Sequence, residues 1–78
     1  MEIKILGGGC AKCHRLEQLA QEAAAELGIT AIFTEVKDMT AIMEYDIIGT
    51  PALVVNEEVK SSGRIPSKDE ILAFLQAA

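Results

Sequence analysis

Seventy-eight residues leave room for one hydrophobic core, so a single domain over residues 1–78 is expected. Half of the residues are apolar, too many for a disordered chain, although a chain this small buries only about 60% of its unfolded surface. Twelve acids against seven bases give a net charge of −5, and there are only one Tyr, two Phe and no Trp, a composition that suits neither a phosphate-binding nor a base-stacking surface.

Residues 2–6, Glu-Ile-Lys-Ile-Leu, alternate and then turn apolar, which predicts a strand. Gly7-Gly8-Gly9 end it in a turn that lets backbone amides approach a ligand. Residues 11–27 carry the strongest helical periodicity. Ala11, Cys13, Leu16, Ala20, Ala23 and Leu27 form one stripe, widened by Leu19 and Ala24, while Glu17, Gln21, Glu22 and Glu26 face water. Gly28 supplies the stop. Residues 30–36 are β-branched and aromatic, a second strand. Asp38 suits the N-cap of a short helix over about 39–46 with an apolar face of Met39, Ile42 and Met43. The run from Ile47 to Pro51 breaks it. Residues 52–55 and 58–62 read as strands joined at Asn56-Glu57, and Gly63 ends the second. Ser67 and Glu70 have capping-box spacing ahead of a last helix to about residue 77, with Ile71, Leu72, Phe74 and Leu75 inward.

The order is β-α-β-α-β-β-α. A right-handed crossover makes the first two strands parallel neighbours, and the short turn makes the last two an antiparallel hairpin. An α/β fold with a four-stranded mixed sheet and helices on both faces is expected. No apolar run is long enough to span a bilayer, and the start of the chain, with an acid at Glu2, is unlike a signal peptide. A cytosolic location follows as the expectation, and thiols stay reduced there.

Cys10 and Cys13, in Cys-Ala-Lys-Cys, are the chemically informative pair. A bridge across two residues closes almost no loop and gains little as a staple, so the pair points to redox exchange or to metal ligation. Cys10 falls at the start of the predicted helix, where unpartnered amides and the helix dipole favour a thiolate. Lys12, inside the motif, and the following His14 and Arg15 add positive charge that lowers a thiol pKa. Cys10 is therefore the expected nucleophile, and Cys13, one turn on and more buried, the resolving thiol. The bland alternatives are small buried cysteines, solvated Lys12, His14 and Arg15, and core or rim packing for Met39, Met43 and Tyr45.

A Cys-x-x-Cys after the first strand and a Thr-Pro just before the third resemble the thioredoxin-like superfamily over the whole chain. The segment Gly-Gly-Gly-Cys-Ala-Lys-Cys and the length are similar to the small redox-active disulfide proteins of prokaryotes, which resemble glutaredoxin in size and thioredoxin in activity. The resemblance implies a minimal thioredoxin-like fold and a thiol–disulfide oxidoreductase that reduces protein disulfides, with no cofactor beyond the Cys10–Cys13 dithiol. It also implies a cis Thr50-Pro51 bond facing that pair, beside backbone that binds an extended substrate, and an upstream thioredoxin-reductase-like donor. A monomer is expected. On the residues alone, Pro51 reads as an ordinary proline opening a strand, since most X-Pro bonds are trans. The chain departs from thioredoxin in having no Trp before Cys10, no Gly-Pro between the cysteines and no Asp in the first strand. The glutathione-gripping segments of glutaredoxins are missing too.

The competing class is a metal-binding module or metallochaperone. Gly-Gly-Cys-Ala-Lys-Cys after a strand is similar to the loop of heavy-metal-associated domains, and soft thiolate pairs suit Cu(I) and Zn. That fold ends in a strand, whereas this sequence ends in a capped helix and carries Thr50-Pro51, so the order of elements favours redox chemistry.

Overall fold

The computed structural model describes residues 1–7 and 11–78. Its elements are β1 (Glu2–Leu6), α1 (Ala11–Glu26), β2 (Ile32–Val36), α2 (Met39–Ile42), β3 (Ala52–Val55), β4 (Glu58–Ser62) and α3 (Lys68–Gln76). They form one four-stranded sheet in the order β2-β1-β3-β4. β1 pairs in parallel with β2, from Glu2↔Ile32 to Leu6↔Val36, and antiparallel with β3, from Ile3↔Val55 to Leu6↔Ala52. β3 and β4 form the antiparallel hairpin, with Lys60 extra where the register shifts beside Leu53 and Val54. Asn56 and Glu57 make its turn at φ of 50° and 67°.

The period-2 pattern of the two central strands divides the core. Ile3, Ile5, Leu53 and Val55 pack under α1 and α3, against Leu16, Ala20, Ala23, Ile71 and Leu75. Leu6, Ala52 and Val54 point to the other face and pack against Ile42 of α2. The small alanines of α1 let the helix lie close to the sheet, and close packing of these side chains is the main favourable contribution to stability. Lys68 joins the two helices on the first face through Glu26 and, at 3.6 Å, Glu22.

The last helix is capped as its spacing predicts. Glu70 N–H donates to Ser67 Oγ at 3.2 Å, and Ser67 N–H donates to Glu70 Oε1 at 2.9 Å. Three boundaries differ from expectation. β2 starts at Ile32 rather than Thr30 because β1 offers partners only from Glu2 onward. α1 ends at Glu26, one residue early, with Gly28 beyond it in the left-handed region at φ 68°. α2 stops at Ile42 instead of about residue 46. Beyond it Glu44 N–H turns to Ala41 O and Tyr45 N–H to Ile42 O, a tighter winding than an α-helix. Ile42 is buried, while Met39 and Met43 are exposed.

Candidate functional site

The end of β1 brings distant parts of the chain together. Leu6 pairs with Ala52 at the start of β3, and Gly7 N–H donates to Val36 O at 2.9 Å. Gly7 holds φ 105°, a conformation that side chains rarely adopt. It also has no room for one. A Cβ at Gly7 would lie 3.0 Å from Thr50 Cβ and 3.2 Å from Cys13 Sγ. A hydrogen at this position is what allows the Thr50 side chain and the Cys13 sulfur to close on the same stretch of backbone.

Cys13 is 3% exposed and continues the inward stripe of α1 through Leu16, Ala20 and Ala23. Its spacing in the helix therefore directs it into the core, as the sequence stripe predicts. Ala11, Lys12, His14 and Arg15 in the same turn are exposed, and that turn carries no acid. Cys10, with Gly8 and Gly9, lies outside the described residues, and so does any geometry of the Cys10–Cys13 pair. Thr50 is exposed and Pro51 buried, and the bond between them is cis.

The approach to Thr50 is braced from β4. Gly63 N–H donates to Gly49 O and to Pro51 O, both at 3.1 Å, and Ile48 N–H donates to Ser62 Oγ at 3.3 Å. Gly63 does this at φ 76°, and a Cβ there would meet Ile48 Cγ1 at 3.4 Å. Beside this loop runs an apolar groove of about 450 Å³, walled by Met39, Met43, Tyr45, Ile47, Ile48 and Thr50. Sequence reasoning missed the groove because it took Met39 and Met43 as core or rim packing on the apolar face of α2. The signal was present in the Ile47-Ile48 pair immediately before Gly49-Thr50-Pro51.

Two charged clusters lie near these elements. Lys4, in the middle of β1, donates from Nζ to Tyr45 Oη at 3.1 Å and to Glu57, and Tyr45 Oη also donates to Glu57 Oε2 at 3.1 Å. The hydrogen bond to Glu57 raises the Lys4 pKa, and the reciprocal contact lowers that of Glu57. The triad joins β1, the end of the α2 turn and the β3–β4 hairpin. On the other side, the Glu17 carboxyl of α1 has its pKa pushed up, chiefly by the Glu35 carboxyl of β2. Lys37 reaches Glu35 at 3.7 Å. Among the described residues no three His, Cys, Asp or Glu side chains converge as a metal site. Nor, among them, is any helix long and apolar enough to cross a membrane.

The model of the thioredoxin domain family matches residues 1–76. The chain belongs to the thioredoxin domain family. A protein called thioredoxin from Methanothermobacter thermautotrophicus is 47% identical to it over 75 residues, covering 96% of this chain and 97% of the relative. A second protein called thioredoxin, from Methanocaldococcus jannaschii, is 36% identical over 75 residues, covering 96% of this chain and 86% of the relative. The mixed sheet with three helices described above is consistent with a thioredoxin domain reduced to its smallest form.

Proposed function

We propose that this protein is a thiol–disulfide oxidoreductase that reduces protein disulfides through Cys10 and Cys13. The observation that carries the reading is the meeting of Cys13 Sγ and Thr50 at Gly7, within a chain of the thioredoxin domain family. Relatives named thioredoxin support it.

In this reading the Cys10 thiolate attacks one sulfur of a substrate disulfide. The substrate S–S bond breaks, and the departing thiolate takes a proton from solvent. Cys13, as thiolate, then attacks the Cys10 sulfur of the mixed disulfide. The second substrate thiolate leaves and is protonated, and the Cys10–Cys13 disulfide remains. Two electrons have passed to the substrate. A thioredoxin-reductase-like donor returns two electrons and two protons. Lys12 favours the Cys10 thiolate by its charge. Thr50 and Pro51 receive the substrate backbone beside the reacting sulfurs. Burial of Cys13 slows its reaction with solvent oxidants and leaves it to act within the mixed disulfide, where proximity replaces exposure. The protein works as a monomer in the cytosol.

The test is a single-turnover reduction of a protein disulfide by the fully reduced protein, together with a redox titration. Reversible cycling at about −270 to −200 mV is expected. Cys10→Ser abolishes turnover, and Cys13→Ser leaves the substrate covalently bound to Cys10. No reduction of any disulfide, with tight Cu(I) binding to the reduced protein, would replace this reading with metal carriage.

A further inference from the structure

Resting on the thiol–disulfide reading, we propose that Lys4 and Glu57 are positioning residues: they hold the Tyr45 hydroxyl and so fix the loop between α2 and Thr50 in the shape that a protein disulfide meets, while touching neither sulfur nor substrate. The starting point is a residue that does not suit its place. Asn56 and Glu57 are the two central residues of the β3–β4 turn, both at positive φ, where glycine is favoured at the second position. A glutamate held at φ 67° carries backbone strain that glycine would not. Its ion pair with Lys4 does little to offset that, because the Glu57 side chain is 60% exposed and pairs in solvent contribute little. On stability alone, glycine would serve this turn better. What glutamate adds is a carboxylate that reaches the Tyr45 hydroxyl, at 3.1 Å, and the Lys4 ammonium.

Lys4 is an equally unusual choice. It lies in the middle of an inner strand, between Thr34 and Val54 of the neighbouring strands, with only 25% of its side chain exposed. Its Nζ donates to Tyr45 Oη at 3.1 Å and stands 5.9 Å from the centre of the ring. Both supports of Tyr45 are rigid. Lys4 is fixed by the sheet, and the turn is hooked to the start of β1: Asn56 N–H donates to Glu2 O at 2.8 Å, and Glu2 N–H donates to Asn56 Oδ1 at 2.9 Å.

Tyr45 opens the stretch that leads to Thr50, and its ring stands in the wall of the groove. The stretch closes where Ile48 N–H meets Ser62 Oγ and Gly49 O meets Gly63 N–H. Residues 45–49 are thus pinned at both ends to one hairpin, by its turn at the start and by the end of β4 at the finish. Releasing the first pin lets Tyr45 and its neighbours take several conformations, which a docking protein must order again at a cost in affinity. Glu57 lies at the far end of β3 from Thr50, so its loss leaves the reacting sulfurs alone.

The test is a single-turnover oxidation of the reduced protein by increasing concentrations of insulin, a protein disulfide. The reaction is quenched with iodoacetamide and the remaining thiols are read by mass. Bis(2-hydroxyethyl) disulfide, too small to need the loop, is the second substrate. Glu57→Gly relieves the turn and removes the carboxylate together. Its midpoint in urea should not fall, yet the half-saturating insulin concentration should rise about threefold to tenfold with the plateau rate kept. Its rate with bis(2-hydroxyethyl) disulfide should match the parent. Glu57→Gln, of the same length and still an acceptor, should stay close to the parent with insulin. Tyr45→Phe keeps the ring and removes the hydroxyl. It should reproduce the rise, and the double variant should add nothing to either single one. Tyr45→Phe decides by the same criterion if Glu57→Gly does not fold. An unchanged half-saturation, a rise shared equally by bis(2-hydroxyethyl) disulfide, or additive effects in the double variant would overturn this proposal alone. Reduction of neither disulfide by the parent would overturn the redox reading beneath it.

Discussion

Replacing Gly7 by alanine tests the geometry at the end of β1. The backbone there has φ 105°, and holding a side chain in so sparsely populated a region costs about 1–3 kcal/mol. The added methyl would also sit 3.0 Å from Thr50 Cβ and 3.2 Å from Cys13 Sγ. Neither neighbour is the free end of a long chain, so backbone or helix must move, and overpacking of this kind costs a further ~1–3 kcal/mol. The expected loss is about 2–6 kcal/mol, and in a chain of this size each kcal/mol lowers Tm by roughly 4–8 °C. Gly28→Ala provides the internal comparison. It too forces alanine to positive φ, at 68°, but a Cβ there meets nothing within 4 Å. Its cost should be the left-handed strain alone, ~1–2 kcal/mol. Urea denaturation of the two variants and the parent gives both differences directly. If Gly7→Ala is no more destabilising than Gly28→Ala, the close approach of Thr50 and Cys13 to Gly7 is wrong.

Two carboxylates should give stability opposite slopes with pH. Glu70 is held at about 2, mainly by hydrogen bonds to Arg64 and then by Ser67 N–H, against an ordinary 4.5. Its stabilisation is full above 4.5 and lost as the pH falls towards 2, so Glu70→Gln should flatten that part of the acid limb in a melting series. Glu17 is raised, chiefly by Glu35, so the folded state takes up a proton above pH 4.5 and stability falls as pH rises through that window. Glu17→Gln should remove this fall and raise stability at pH 7 by a few tenths of a kcal/mol, ~0.2–0.5. A Tm at pH 7 below that of the parent would contradict the pairing with Glu35. Leu16→Ala, at a fully buried site under the sheet, should cost about 2–5 kcal/mol in the same urea titration. Ser67→Ala should cost ~1 kcal/mol by uncapping α3, and a neutral result would remove the capping box as a source of stability.

The strands, the long helix and the final cap are legible in the sequence because each is set by local signals. Alternation in residues 2–6, the 13-16-20-23 stripe and the Ser67–Glu70 spacing lead to the observed elements directly. What failed to read out depends on partners far along the chain. Tyr45 leaves the α-helical path with its hydroxyl among Lys4 and Glu57, residues 41 and 12 positions away, and Met39 and Met43 are exposed while Ile42 between them is buried. The extra residue Lys60 in β4 shifts the register against β3 with no turn residue to announce it. At the site, the buried placement of Cys13 follows from its stripe. The part played by Gly7 did not, since a glycine before two more glycines looks like an ordinary turn until Thr50 is seen against it.

The register that sets Leu6 beside Ala52 also has a kinetic meaning. β1 and β2 are joined through α1 and can pair early, but Thr50 arrives only when β3 docks on the other edge of β1. Closing that longer loop is entropically costly, so the pairing is expected late in folding. The closing of Thr50 and Cys13 Sγ around Gly7 is then among the last contacts to form. A nascent or partly unfolded chain would present this sulfur to solvent before the rest of the molecule is complete, and loss of its reactivity towards an alkylating reagent would time the final step of assembly.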